Sequence, residues 1–212
     1  FDDTIITILV MKVLKESDAR CRAMLSNQHI SEVGPGTIIQ DVEALLKFIG
    51  RDGLSTGSKR GNLPTSALSE LNTRLSDSIN LSLRRPLLKH YPNIAGPYIL
   101  CRVMGLIQLD GSQIRIHEDQ FDSWNSLNVT EKYFSLIEAW LIHGNDDVLG
   151  GEMRRREPNQ QFTHNLDFLA LNLSSSHWTS FKESVHTYCH YSKNISAWNA
   201  QLQMKFGLIE IK

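Results

Sequence analysis

Residues 91–141 read YPNIAGPYILCRVMGLIQLDGSQIRIHEDQFDSWNSLNVTEKYFSLIEAWL, and this stretch decides the fold that the sequence predicts. Apolar side chains recur at helical spacing from about Pro97, a residue type that suits the first helical turn. Two short alternating stretches follow. Between them, Asp110-Gly111 predicts a type I′ hairpin turn, because glycine tolerates a positive φ. A helix, a hairpin and two further helices in this order predict a winged helix.

The two helices after the hairpin are predicted from their apolar residues and from one start signal. The first has Phe121, Trp124 and Leu127 on one side. The second begins after Asn128, which can form a capping box with Glu131. Its apolar face is predicted to consist of Phe134, Ile137 and Leu141. Tyr133 and Trp140 are predicted to flank this face. We expect the aromatic side chains of this stretch to lie in the core.

A similar helix–hairpin–helix pattern occurs earlier in the chain. One helix is predicted over residues 37–50 and another over residues 65–76. Their inward-facing residues are predicted to be Ile38, Val42, Leu45, Leu46, Ile49, Leu68, Leu71 and Leu75. The glycine-rich, basic segment between them is interpreted as a hairpin around Lys59-Arg60-Gly61. The predicted fold class is therefore mostly α, with at least two winged-helix-like units and a helical C-terminal part.

The domain organisation follows from these patterns. Residues 1–36 are an N-terminal segment of uncertain structure, in which residues 4–15 fit either strand or helix. Residues 37–143 form a paired winged-helix-like domain. Residues 144–161 are a polar connector, and residues 162–212 are a C-terminal helical part that includes a helix near 195–206. The chain starts on Phe1 and stops on an apolar stretch, so we expect it to be a piece of a longer protein.

Composition narrows the class of protein. Apolar residues make up 41% of the chain and charged residues 21%, which is typical of a globular protein rather than a disordered one. No stretch approaches the roughly 20 apolar residues of a membrane span. The three cysteines, Cys21, Cys101 and Cys189, lie far apart, which argues against a disulfide framework and favours a reducing compartment. We therefore expect a cytoplasmic protein with no membrane contact.

Charge is unevenly distributed along the chain. Residues 51–103 contain eight Lys/Arg and three Asp/Glu, a balance of +5, whereas residues 104–152 contain two and nine, a balance of −7. The simpler interpretation is two solvated faces that partly neutralise each other. The functional interpretation is a surface that binds phosphates. Its predicted nucleic-acid-binding residues are Lys59, Arg60, Arg84, Arg85 and Lys89. The acidic residues around the second hairpin make residues 97–127 a poorer DNA reader.

Catalytic and metal-binding signals are weak. His186 and His190 would lie one turn apart on a helix, a spacing that zinc can use, but further ligands would have to come from His164 or His177. Cys189 near His186 could form a nucleophile–base pair, yet no orienting group is identifiable. No GxSxG, CxxC, P-loop or GxGxxG motif is present. The sequence therefore predicts no catalytic residue, no metal and no cofactor.

Three segments together carry a family resemblance. They are DVEALLKFIGRDGLSTGSKRGNLPTSALSELNTRL (residues 41–75), RRPLLKHYPNIAGPYILCRVMGLIQLDG (residues 84–111) and SLNVTEKYFSLIEAWL (residues 126–141). The combination resembles a region of plasmid pRiA4b open-reading-frame-three-like proteins, which are bacterial and of mobile-element character. The resemblance covers about residues 38–150, lies outside the namesake domain of that family and transfers no functional residue. More distantly, the chain resembles the winged-helix-like N-terminal domain of XPB-type helicases, without any helicase motif.

The expected function is a non-enzymatic binding module. It would bind duplex DNA through the basic surface in residues 51–103, or a protein partner through the same surface. A spacer that positions a further domain is an alternative, and a metal-dependent enzyme centred on His186 and His190 is the rival from another class. No small-molecule substrate is expected.

Overall fold

Helices and one small sheet follow one another in the order α1 (Ile38–Ile49), β1 (Leu54–Ser55), α2 (Thr65–Arg74), a 3-10 turn (Leu88–His90), α3 (Pro92–Val103), β2 (Ile107–Asp110), β3 (Gln113–Ile116), α4 (Glu118–Ser126), α5 (Val129–Glu138), a π-helical turn (Ala139–His143) and α6 (Ala197–Lys205). The structure, a computed structural model, describes residues 30–32, 34–56, 62–144 and 197–207. All of these except Ile30 belong to one compact unit. The described part is mostly helical, as the sequence predicts.

The sheet joins the two segments that the sequence separates into repeats. Its strand order is β1-β3-β2, and both pairings are antiparallel. Leu54 of β1 lies opposite Ile114 of β3, which also lies opposite Leu109 of β2. The tip of the predicted first hairpin lies outside the described residues. The strand before it, β1, pairs with β3 at the edge of the β2–β3 hairpin, and residues 62–64 after the tip form no strand.

The β2–β3 turn has its glycine where the sequence predicts a positive φ, but its type is different. Asp110 pairs with Gln113, so Gly111 and Ser112 are the two central residues. Gly111 has φ 59°, and no described residue other than glycine has a positive φ. A positive φ at the first central position alone is the signature of a type II′ turn, whereas type I′ needs it at both. The predicted type I′ turn is therefore wrong.

Helices α1 and α2 occupy their predicted places, and every residue predicted to face inward from them is buried. Helix α3 begins earlier than predicted. Pro92 occupies its first position, and Pro97 lies within the helix, where its missing N–H leaves the carbonyl of Asn93 without the usual donor. The apolar spacing identified this helix correctly, but the choice between two prolines as its start was wrong.

Helix α5 begins with the predicted capping box, in which the Asn128 side chain accepts from the Glu131 N–H at 3.0 Å. The predicted inward face is correct for Leu141, which is buried, but Ile137 is only half-buried. Phe134 is 49% exposed, whereas Tyr133 and Trp140 are buried together with Leu136. The buried stripe is rotated by about one residue because α6 and the residue after it cover the side that carries the two large aromatic rings.

Helix α6 packs across α3 at a glycine. A Cβ atom on Gly96 would lie 2.6 Å from Cγ of Leu202, so only glycine allows this approach. Phe206 then stacks on Trp140, with ring centroids 5.5 Å apart. The Tyr133 hydroxyl donates to the Phe206 carbonyl at 2.7 Å, and burial raises the pKa of Tyr133 to about 12. The C-terminal helix is therefore part of the core.

Trp124 joins α4 to α1 and α5. Its side chain is 2% exposed, and its Nε1–H donates to Oε1 of Glu43 at 3.0 Å. Lys132 also donates to that carboxylate oxygen, at 2.8 Å, and lies 5.0 Å from the indole centroid. Phe121 and Leu127, predicted to share its face, are half-buried. Apolar burial and a shared carboxylate thus fix α4 against the rest of the core.

Replacing Trp124 with alanine should destabilise the protein by roughly 3–5 kcal/mol, the range for deleting a large buried aromatic side chain. The matched control is Phe134→Ala, which removes a half-exposed ring and should cost about 1 kcal/mol or less. The free energy of unfolding from urea titration measures both. A loss below about 1 kcal/mol for Trp124→Ala would show that α4 is not part of the core.

Replacing Gly111 with valine should destabilise the protein by about 1–2 kcal/mol, because a β-branched residue is strained at positive φ. No atom lies within 4 Å of a Cβ built on Gly111, so backbone strain is the whole effect. Gly111→Asn is the control, since asparagine tolerates this conformation better, and it should cost less. Equal losses of unfolding free energy in the two variants would contradict this account of the turn.

Candidate nucleic-acid interface

The loop between α2 and α3 (residues 75–91, the α2–α3 loop) carries three of the five predicted cations. Its first half is held by a buried pair of amides. The Asn72 side chain donates to the Ile79 carbonyl and accepts from the Ile79 N–H, both at 2.9 Å. The Asn93 amide donates to Asn72 at 2.8 Å and to the Asp77 carbonyl at 2.7 Å. Because Asn93 is fully buried, these bonds form away from competing water.

The second half of the loop is held by a local cap and two buried side chains. The Leu87 N–H donates to Nδ1 of His90, and the His90 N–H donates back to the Leu87 carbonyl, each at 2.9 Å. Leu88 and Tyr91 are buried, with 6% and 4% exposure. The loop therefore meets the core at both ends.

Between these two anchors, residues 80–86 make no hydrogen bond with any described residue. Arg84, Arg85 and Lys89 are exposed, and none of them pairs with a carboxylate in the part of the chain that the structure describes. Leu83 and Leu87 are also exposed, at 50% and 47%. We call residues 83–89 the cationic segment. It presents three unpaired positive charges and two leucine side chains to solvent.

The remaining predicted cations, Lys59 and Arg60, lie outside the described residues. The structure thus places Arg84, Arg85 and Lys89 within one short segment and leaves the rest of the predicted site as a prediction. The sequence analysis did not single out the exposed Leu83 and Leu87. The available signal was their position beside the adjacent Arg84 and Arg85, because charged residues are mostly exposed.

A second charged cluster is buried and structural. Lys205 forms an ion pair with Asp41, and their side chains are 1% and 0% exposed. The Asp41 carboxylate also accepts from the backbone N–H and the hydroxyl of Ser76, both at 2.8 Å, and from the Thr37 hydroxyl at 3.0 Å. The Lys205 ammonium lies 3.7 Å from a carboxylate oxygen of Asp77. This cluster fixes α6 and the start of the α2–α3 loop against α1.

Helix α3 offers no face to a nucleic-acid groove. Every residue from Asn93 to Cys101 is buried, and α6 covers the side that carries Gly96. The β2–β3 hairpin is no better, since its tip residue Asp110 is exposed and lies 3.6 Å from Arg115, the nearest cation. The cationic segment is therefore the part of the described surface best suited to an anion.

The other candidate chemistries fall mostly outside the described residues. His164, His177, His186, Cys189 and His190 all lie there. In the part that is described, no group of three His, Cys, Asp or Glu side chains could hold a metal ion. Cys101 is described and buried, and its desolvation, followed by the nearby Glu43 charge, raises the pKa of its thiol well above the usual range. Such a thiol is a poor nucleophile.

A search of the described helices finds none that is both long and apolar enough to cross a membrane. Comparison with protein-family models gives no match to this chain, and comparisons with curated proteins and with solved structures give none either.

Replacing Lys205 with methionine should destabilise the protein by about 3–5 kcal/mol, because it leaves the Asp41 carboxylate buried without its cation. The double variant Asp41→Leu with Lys205→Met should recover part of this loss, since no buried charge remains. Recovery stays incomplete because Ser76 and Thr37 lose their acceptor. Arg115→Met, which breaks an exposed pair, should cost less than about 1 kcal/mol. Urea unfolding at pH 7 measures the free energy of unfolding of the three variants and of the unaltered protein. A double variant that is less stable than Lys205→Met would contradict this account.

Proposed function

We propose that this protein is a non-enzymatic binding module that contacts the backbone of duplex DNA through its cationic segment. The observation that carries the proposal is the exposure of Arg84, Arg85 and Lys89 on a loop anchored at both ends, with no carboxylate partner in the described part of the chain. The formal net charge of −1 provides no general attraction to a polyanion, so a local set of cations has to supply it.

The scaffold that we propose for this module is a winged-helix-like unit. The order α1-β1-α2-α3-β2-β3, with β1 added to the edge of the β2–β3 hairpin, supports that arrangement. In such a unit the third helix commonly reads the major groove. Here that helix is buried from Asn93 to Cys101, so we propose contact through the α2–α3 loop instead. Membership of the bacterial mobile-element family suggested by the sequence, and a cytoplasmic location, stay part of this proposal.

Fluorescence anisotropy of a labelled duplex against salt concentration tests the proposal. Each neutralised phosphate contributes about −0.9 to the slope of log affinity against log salt, so three to five contacts predict roughly −2.7 to −4.5. Changing Arg84 and Arg85 together to glutamate should abolish binding. Arg115→Glu is the control, because this exposed arginine already lies beside Asp110, and it should change the affinity little.

Absence of binding at low salt, or binding unchanged by the Arg84/Arg85 reversal, would reject the nucleic-acid proposal. A protein partner is the second candidate function, and the specific observation in its favour is the exposure of Leu83 and Leu87 beside the cations. The rival metal-dependent enzyme predicts stoichiometric zinc by elemental analysis, lost on changing His186 and His190. Metal-free protein would remove that rival.

A further inference from the structure

We infer that the cationic segment enters the minor groove of A·T-rich duplex DNA and inserts leucine between base pairs, bending the duplex. This inference rests on the proposed function and goes beyond it, because it names the groove, the base composition and the deformation. Contacts to phosphates alone would require only the cations. The two exposed leucines are the additional feature that calls for an explanation.

The choice of groove follows from what the described surface can present. The major groove is about 12 Å wide and admits an α-helix, whereas the minor groove is about 6 Å wide and admits a narrower element. Residues Asn93 to Cys101 of helix α3 are buried, and the exposed acidic residues Glu118 and Asp119 at the start of α4 would be repelled by phosphates. Residues 80–86 form an irregular stretch that makes no hydrogen bond with any described residue, so its width suits the narrower groove.

The residue types of the segment match the two demands of this binding mode. Arginine is attracted into the minor groove of A·T-rich DNA, where the groove narrows and its negative potential is strongest. Arg84 and Arg85 are adjacent and unpaired, so both are available for that attraction. Minor-groove proteins also insert apolar side chains, leucine and proline among them, between base pairs, which unstacks the pairs and kinks the duplex. Leu83 precedes the arginines, and Leu87 follows them after Pro86.

A side chain inserted between base pairs can bend DNA only if the backbone that carries it is held in place. The amide pair of Asn72 and Asn93 holds the chain at Ile79, four residues before Leu83. Buried Leu88 follows Leu87 directly, so Leu87, the second leucine proposed to insert, lies next to the core. Both leucines are thus mounted close to fixed points, while the segment between them makes no internal hydrogen bond that insertion would break.

The test uses the full 212-residue chain and two end-labelled duplexes that differ only in an A·T-rich or G·C-rich centre. Anisotropy measures affinity, and fluorescence energy transfer between the duplex ends measures bending. We expect about tenfold tighter binding to the A·T-rich duplex, bending of that duplex, and competition by netropsin, a small molecule that fills the A·T minor groove.

The deciding variant changes Leu83 and Leu87 together to serine. It should lose the bending and the larger part of the A·T preference, yet keep the salt dependence that the arginines supply. Phe134→Ser is the matched control, because Phe134 is equally exposed at 49% but lies on α5, and it should bend DNA like the unaltered protein. Circular dichroism confirms that each variant is folded.

Three results would overturn the inference: equal affinity for the two duplexes, no competition by netropsin, or normal bending by the leucine variant. If binding then still depends on Arg84 and Arg85, the inference fails while the proposed function stands. If neither duplex is bound at low salt, both fail, and an acidic protein partner takes the place of DNA.

Discussion

Burial of the Asp41–Lys205 ion pair is the constraint on which the rest of this structure depends. Removing two charges from water is costly, and this cost is offset only when the geometry is good and the remaining hydrogen-bonding capacity is used. Here the Asp41 carboxylate also accepts from Ser76 and Thr37, so α1, the α2–α3 loop and α6 all meet at one group. Loss of any one contributor would leave a buried charge or a buried donor unpaired, which makes the three elements interdependent.

That arrangement has a direct effect on where the molecule can bind a partner. With α6 fixed over Gly96 and residues Asn93 to Cys101 buried, helix α3 offers no surface to a nucleic-acid groove. The α2–α3 loop, by contrast, is anchored by Asn72 and by the buried pair of Leu88 and Tyr91, and exposes what lies between. In the function that we propose, the contact surface is therefore this loop rather than a helix, and the chemistry of the loop is cationic and apolar together.

Sequence patterns predicted the features that arise within a few residues. Helical spacing gave the inward residues of α1 and α2, and Asn128 with Glu131 gave the start of α5. Features that join distant parts of the chain were not predictable in this way. The pairing of Leu54 with Ile114 crosses about 60 residues, so β1 was assigned to a local hairpin instead. Likewise, nothing local to Phe134 shows that α6 covers the opposite side of its helix.

The residues of the candidate site also differ in whether the sequence predicts their exposure. A run of cations such as Arg84 and Arg85 predicts its own exposure, because burying unpaired charges costs too much free energy. Apolar residues carry no such information, so the exposure of Leu83 and Leu87 is seen only in the structure. Asp41 shows the opposite case. It is a charged residue on the apolar face of α1, and its cation lies 164 residues further along the chain.

That sequence separation affects how the protein is made. A ribosome adds roughly 5–20 residues per second, so about 8–33 seconds pass between the synthesis of Asp41 and that of Lys205. During this interval the emerging chain contains the Asp41 carboxylate, which is buried in the folded protein, but lacks the Lys205 ammonium that neutralises it. The nascent chain is therefore expected to keep α1 and α3 partly solvated, within reach of chaperones, until α6 leaves the exit tunnel and closes the core.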